Sequence, residues 1–378
     1  MIPFNKPFLT GNETKYIEHA VSLGKISGNG YYTQKCQKFF EQKYGFKKAL
    51  LTTSCTDALE MAAILADIKP GDEVIIPSYT FVSTAIAFIR QGAKIVFADS
   101  YADNPNIDAD QIESLITART KAIVPVHYAG IACDMDKIMS LGAQYNLIVI
   151  EDAAQAIDSY YLTRDGTKRP LGSIGHMAAF SFHETKNIIS GEGGLLAVND
   201  DRFIERAEII WEKGTNRSQF FRGEVDKYGW VDIGSSFLPS EVIAAFLWAQ
   251  LENVEKIQKK RKGLWEQYHA GLSLIKDDIE IQLPTIPNYA TNNGHMFFVL
   301  FKNLQARTEA IEKLKKKEIL SVFHYISLHS SSYYQDKHDE RVLKNSDRFT
   351  DCLLRLPMYY ELPETVINDI SKILNADL

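Results

Sequence analysis

The run LIVIED (147–152) is apolar at four consecutive positions, three of them β-branched, and ends in two acids. A backbone segment this apolar is stable only if both of its faces are covered, the condition of a central strand in a parallel sheet. MAAFSF (177–182) has the same character, and the polar stretch HETKNIISGEGG follows it. Similar runs are ALL (49–51), VIIP (74–77), KIVFADS (94–100), KAIVPVHYAG (121–130) and LLAVND (195–200). Helical sequence separates several of them, near 108–117 and 134–145 among others. The spacing therefore predicts right-handed βαβ units and an α/β fold on a mainly parallel sheet. Such sheets hold ligands in the crevice beyond the carboxyl ends of their strands. Asp152 and Lys186 are both delivered there.

Alone, each of these two residues has a plainer reading. A strand-end Asp is as readily a cap, and a lone loop Lys is usually solvated. As a pair they suit pyridoxal phosphate: a lysine amine attaches the cofactor, a carboxylate keeps the pyridine nitrogen protonated so that the ring acts as an electron sink, and the phosphate needs hydroxyls and amides. The stretch ALLTTSCTDALEMAA supplies the last of these. Ser54 or Thr53 caps a helix whose free amides, with neighbouring hydroxyls, make an anion site. Tyr79 and Phe81 fall at the next strand–helix turn, where an aromatic could stack on a flat ring or simply join the core. His127, at another strand end, reads as a substrate contact or as a hydrogen-bonded structural histidine.

The remaining composition narrows the field. In 378 residues, 42 Lys and Arg stand against 48 Asp and Glu, a net charge of −6 with no long run of one sign, which argues against a nucleic-acid surface. The basic clusters at 256–262 and 313–318 read as solvated helix faces. Four cysteines, Cys36, Cys55, Cys133 and Cys352, have neither CxxC nor zinc spacing, so neither a disulfide framework nor a metal site is expected. The first residues lack the basic and apolar regions of a signal peptide, and no apolar run is long enough to span a membrane, so a cytoplasmic protein is expected. Residues 201–237 read as an extended polar and aromatic stretch, in which Arg217, Arg222 and Lys227 suit a phosphorylated ligand or a neighbouring subunit. One long helix is expected from about 240, crossing a boundary between a large domain (1–250) and a smaller α+β domain (251–378) whose strands are IEIQLP, HMFFVLF and SVFHYI.

Taken together, PGDEVIIPSYTFVST (70–84), EDAAQA (151–156), FSFHETKN (180–187) with GEGG (191–194), and YISLH (325–329) resemble the sugar aminotransferases of the DegT/DnrJ/EryC1/StrS family, fold type I enzymes of the aspartate aminotransferase kind. SCTDALEMAA, PVHYAGIACDMD, EKGTNRSQFFRGEVDKY and DIGSS are further similar to members that aminate C4 of dTDP-4-keto-6-deoxy-D-glucose to the galacto product for surface polysaccharide. The resemblance implies that Lys186 carries the cofactor and shuttles protons, and that Asp152 pairs with the ring nitrogen. It places Gln155 near the cofactor's phenolic oxygen, Ser54, Cys55, Thr56 and Ser181 at its phosphate, and Phe81 against its ring. His183 and His329 match positions near substrate, and L-glutamate is the implied amino donor. The family works as a homodimer with shared sites, and Ser236 matches a position that reaches the partner's phosphate. Two departures stand out: members commonly carry Gly where Cys55 stands, and many carry Asn at 236. Amination at C3 of a 3-keto sugar, or a non-catalytic cofactor- or sugar-nucleotide-binding role, remain alternatives. A dehydratase of the same fold would carry His in place of Lys186.

Overall fold

The computed structural model describes residues 1–375. Seven strands form the main sheet: β1 (Lys48–Thr52), β2 (Glu73–Pro77), β3 (Lys94–Ala98), β4 (Thr120–Ile123) and β5 (Ile148–Asp152), then, after the short hairpin β6 (Tyr160–Leu162) and β7 (Lys168–Pro170), β8 (Met177–Ser181) and β9 (Gly194–Val198). Their order is β1-β9-β8-β5-β4-β2-β3, and only β9 runs against the others. The expected α/β fold on a mainly parallel sheet is the observed one. Alternate residues of each strand enter opposite cores: Leu51, Ile75, Ile123 and Val149 pack on one face, and Leu50, Val74, Ala122 and Ile150 on the other. This is why the strands read as unbroken apolar runs in the sequence.

A second sheet, ordered β10-β12-β11, comprises β10 (Phe297–Leu300), β11 (Val322–Phe323) and β12 (Leu353–Leu356). Phe298, Leu300 and Leu353 face the core of the main sheet, while Phe297, Val299, Leu354 and Leu356 form a third core with the helices Val254–Ser273, Leu304–Lys316 and Glu364–Asn375. The last of these buries Val366, Ile367, Ile370 and Leu374, each contributing about 1.5–3 kcal/mol by burial. The amino-terminal segment crosses to this region, where Ile2 bridges to Ile319.

Four local expectations differ from the structure. Asp201–Trp211 is a helix, capped by the Asp200 side chain on the Arg202 amide, and a short helix follows at Arg217–Phe221. The long helix is two, Glu241–Leu251 and Val254–Ser273, broken at Glu252 and Asn253. Residues 108–117 form only a single 3₁₀ turn, Glu113–Leu115. IEIQLP makes one bridge, Gln282 to Leu300, and the strand that centres the second sheet is instead LLRL, β12.

Candidate active site

A cavity of about 940 Å³ opens beyond the carboxyl ends of the main-sheet strands, closed on its far side by β11, β12 and the amino-terminal residues Phe4 and Asn5. Asp152 ends β5 and is held there by the backbone: its N–H donates to Pro125 O at 2.9 Å, and its carbonyl accepts from His127 N at 3.1 Å. Its carboxylate accepts from Thr84 Oγ1 at 2.7 Å and from Ala154 N at 3.2 Å. Burial raises its pKa above the ordinary value, against the pull of those donors. A carboxylate so desolvated is stabilised by a cationic partner, and a pyridinium N–H is one. No water or ligand is needed to see why its neighbour Glu151 is rigid: the buried carboxylate takes hydrogen bonds from His127 Nε2 and from the amides of Gly172, Ile174 and Gly175 at 2.6–2.8 Å. His127 is thus structural. Its Nδ1 accepts from Cys133 N at 3.1 Å, which leaves Nε2 as the protonated nitrogen.

Beside Asp152 lies the start of the helix Cys55–Leu65. Ser54 caps it, accepting from Asp57 N at 3.0 Å, so the amides of Cys55 and Thr56 have no acceptor within the helix. Thr56 Oγ1 meets Ser83 Oγ at 2.8 Å, and Ser181 lines the same wall. The turn can sit there because residue 194 is glycine: a Cβ would lie 2.4 Å from Ser54 C and O. Free amides at a helix start with three hydroxyls around them fit a phosphate. Cys55 leaves this intact, because its contribution is a backbone N–H; burial keeps its thiol well above the usual pKa.

Lys186 stands on the loop joining β8 to β9, whose ends pair through Phe182 N to Gly193 O at 2.8 Å. Asn187 pins the loop from behind, donating to Gln258 Oε1 at 2.8 Å and Asn293 O at 2.9 Å while its Oδ1 meets His295 Nδ1. The half-buried Lys186 side chain lines the cavity, and desolvation lowers the pKa of its amine. Gln155 Oε1 accepts from Ala129 N at 2.6 Å, and its Nε2 donates to Tyr325 OH at 3.2 Å, leaving one amide hydrogen for a ligand. Phe81 is 56% exposed on the cavity wall, 6.0 Å from the Tyr325 ring, whereas Tyr79 is buried with its hydroxyl donating to His324 O. The donor set therefore fits pyridoxal phosphate at each of its polar groups.

Ser54, Cys55, Thr56, Phe81, Asp152, Gln155, Ser181, His183 and Lys186 all line this one cavity. His183 Nδ1 meets Thr185 Oγ1 at 2.9 Å and accepts from Thr185 N, leaving Nε2 free to face a ligand or Glu192, 3.6 Å away. The others lie elsewhere. His329 sits behind the wall, bonded to Ser78 Oγ at 2.7 Å and 3.5 Å from Asp347. Arg217, Arg222 and Ser236 line a second cavity of about 770 Å³, where Arg222 pairs with Glu208 and Glu224. Lys227 is exposed and lines neither cavity. Sequence reasoning missed Thr84, His324, Tyr325 and Arg355. The YISLH motif does reach the cavity, but through Tyr325, whose φ of 59° turns its ring inward, rather than through His329. Arg355 had a signal: it is the one charge in the apolar strand LLRL.

The model of the DegT/DnrJ/EryC1/StrS aminotransferase family matches residues 7–375. The spore coat polysaccharide biosynthesis protein SpsC of Bacillus subtilis is 31% identical over 378 residues, covering 98% of this chain and 95% of its own. An uncharacterized protein of Methanocaldococcus jannaschii is 33% identical over 92% of this chain and 89% of its own. Among solved structures, the aminotransferase TlmJ from Streptoalloteichus hindustanus superposes with a TM-score of 0.89 at 26% identity, covering 100% of this chain and 98% of that one. DesV of S. venezuelae gives 0.87 at 27%, covering 99% and 97%. The family match thus spans the whole frame that brings Asp152, the helix start at Ser54 and Lys186 together, and the chain belongs to the DegT/DnrJ/EryC1/StrS aminotransferases as a sugar aminotransferase that uses pyridoxal phosphate.

Proposed function

We propose that the protein moves the amino group of L-glutamate to C4 of dTDP-4-keto-6-deoxy-D-glucose, giving the galacto epimer of a dTDP-4-amino-4,6-dideoxyhexose for surface polysaccharide. The observation that carries the aminotransfer is the half-buried, desolvated Lys186 amine in the same cavity as Asp152. The sugar and the position rest on the resemblance carried by the stretches at 54–63, 125–136, 212–228 and 232–236, while the similarity to a spore coat polysaccharide biosynthesis protein supports only the polysaccharide role.

The bound cofactor supplies an electron sink for the carbon that loses its proton. The chain supplies the rest. Asp152 holds the proton on the ring nitrogen, and the helix start at Ser54 seats the phosphate. Lys186 Nζ, whose pKa desolvation lowers, in its neutral form takes a proton from the donor's α-carbon and returns one to the sugar carbon. Phe81 and Tyr325 wall the reacting face from water.

Arg217, Arg222 and Ser236 line a different cavity from the one that holds Lys186, and Phe221, Trp230 and Ile233 nearby in the chain are 70%, 84% and 57% exposed. In our reading this face meets a second copy, and these cations serve the partner's sugar diphosphate. Truncating Arg217, Arg222 and Lys227 should then raise KM for the sugar nucleotide more than it lowers kcat. Four free cysteines suit the cytoplasm. Proton NMR of the product from L-glutamate and the 4-keto sugar tests the assignment. Nitrogen on C4 with a small H3–H4 coupling is expected; a large coupling gives the gluco epimer, and nitrogen at C3 or no product refutes the substrate.

A further inference from the structure

Three histidines line the active-site cavity, His183, His295 and His324. His183 accepts through Nδ1 from Thr185 N, so its other nitrogen, Nε2, is a donor. His324 Nδ1 meets Tyr128 OH at 2.8 Å, and a hydroxyl can take either role, so that contact does not fix the tautomer. His295 differs from both. Its Nδ1 lies 2.8 Å from Asn187 Oδ1. That atom must be the amide oxygen, because the other end of the Asn187 amide faces Asn293 O at 2.9 Å and Gln258 Oε1 at 2.8 Å, and a backbone carbonyl only accepts. The proton of the neutral His295 ring therefore sits on Nδ1, and Nε2 carries a lone pair. The backbone holds the ring in place: His295 N donates to Asn293 Oδ1 at 3.0 Å, and its carbonyl accepts from Arg261 Nη2 at 2.7 Å.

Nε2 makes no hydrogen bond among the described residues, although His295 is only 7% exposed. An unmet acceptor this deep calls for a donor in the cavity. It stays an acceptor at neutral pH: burial, with the charges of Lys186, Arg261 and Arg355 around it, holds its pKa well below the ordinary value. One donor is near at hand. Lys186 is the chain neighbour of Asn187 and lines the same cavity, and its Nζ makes no hydrogen bond among the described residues. Of the charges around His295, that of Lys186 acts on it most strongly.

We propose that His295 Nε2 accepts a hydrogen bond from the free Lys186 amine and so orients it as the base of the reaction. The amine has one lone pair to aim at the donor's α-carbon, and an acceptor for one of its N–H bonds fixes where that pair points. As Nζ takes the α-proton it becomes an ammonium, while the C–H electron pair stays with the donor and its electron sink. The neutral bond to His295 then becomes a charge-assisted one. A contact that strengthens towards the transition state raises kcat rather than affinity. His295 acts through Lys186 and is a positioning residue. This rests on the aminotransfer reading above but not on which sugar is used.

Two substitutions separate this role from a structural one. His295→Asn puts an amide where Nδ1 stood and keeps the bond to Asn187, but removes the acceptor. His295→Gln puts an amide oxygen where Nε2 stood. In single turnovers of holoenzyme at saturating L-glutamate, His295→Asn is expected to slow conversion of the cofactor absorbance roughly 10- to 100-fold, and His295→Gln to stay within about threefold of wild type. The half-saturating glutamate concentration stays unchanged, and the rate ratio between α-protonated and α-deuterated glutamate rises in His295→Asn. The half-reaction with keto sugar slows alike, because the same amine returns the proton. In the apoprotein, the pH dependence of Lys186 labelling by trinitrobenzenesulfonate, read by peptide mass, follows the amine without turnover; loss of its acceptor in His295→Asn should lower the pKa by about one pH unit. Wild-type rates in His295→Asn, or an unchanged Lys186 pKa, overturn the proposal. So does a loss in His295→Gln as large as in His295→Asn, which marks a structural ring, and a loss confined to the keto-sugar half-reaction, which puts the donor on the sugar. A proton on His295 Nε2 in the ¹⁵N NMR spectrum of the wild-type protein overturns it with no variant needed. A wild-type enzyme that does not transaminate refutes the aminotransfer reading, and the apoprotein labelling still decides the contact between Lys186 and His295.

Discussion

Glu151→Gln tests how the site is held from below. The wild-type carboxylate accepts four hydrogen bonds at 2.6–2.8 Å while fully buried, two on each oxygen. An amide can accept on one side only. Its NH₂ then faces either the amides of Ile174 and Gly175 or the pair formed by Gly172 N and His127 Nε2. The histidine cannot adapt by moving its proton, because Nδ1 is already taken by Cys133 N. Two charge-assisted bonds are therefore replaced by donor-against-donor contacts, a loss of about 3–5 kcal/mol. Urea unfolding of the apoprotein at pH 7 measures it, and cofactor affinity should fall as well, because Asp152 is the next residue along the strand. The pH dependence carries a sign. Burial acts to raise the Glu151 pKa, but His127 and the amides bring it below the ordinary value. Its stabilisation is thus complete above the unfolded value of about 4.3 and disappears as pH falls through the lower folded one, so the substitution should flatten that acid limb. A loss under about 1 kcal/mol with cofactor affinity intact would refute the reasoning.

Lys186→Met should abolish transamination yet raise the melting temperature of the apoprotein at pH 7. Desolvation lowers the folded pKa of this amine, so its charged form opposes folding in full below the folded value, and the gain should shrink as pH rises from there and vanish above the unfolded value of about 10.4; a less stable variant counts against a desolvated amine. Asp152→Asn keeps a partner for Thr84 Oγ1 but cannot hold a ring nitrogen protonated, so cofactor retention and turnover should fall together. The apoprotein should be no less stable at pH 7, because the raised pKa of Asp152 makes its ionised form unfavourable there, a penalty that vanishes as pH falls through the folded value. Gly194→Ala places a methyl 2.4 Å from the Ser54 backbone, which cannot yield as a side chain would; it should cost about 1–3 kcal/mol and weaken phosphate binding, and equilibrium dialysis of the cofactor would detect wild-type affinity if the close approach were unimportant.

The strands of the main sheet were legible because burial on two faces writes itself as consecutive apolar residues. A strand that ends in Asp152 and a loop that carries Lys186 follow from that order alone. Helix Asp201–Trp211 was obscured by its charges: Asp201, Arg202, Glu205, Arg206 and Glu208 lie among its apolar positions and mask the period. Strand β12 was missed because its place is fixed by pairing with β10 and β11, distant in sequence, rather than by its own residues. The position of His329 shows the limit of a motif: YISLH comes to the cavity, but the positive φ at Tyr325 decides which side chain enters.

What the sequence by itself determined is local and periodic: the parallel sheet, the capped helix start at Ser54, and the two chemical groups at one edge. Only the tertiary structure decided what faces them. Arg355, Thr84 and the Gln155–Tyr325 contact come from segments far apart in the chain, and Glu151 owes its role to three amides some twenty residues later. Whether a buried polar group has a partner is a property of the packed molecule, because its satisfaction depends on atoms that no local pattern encodes.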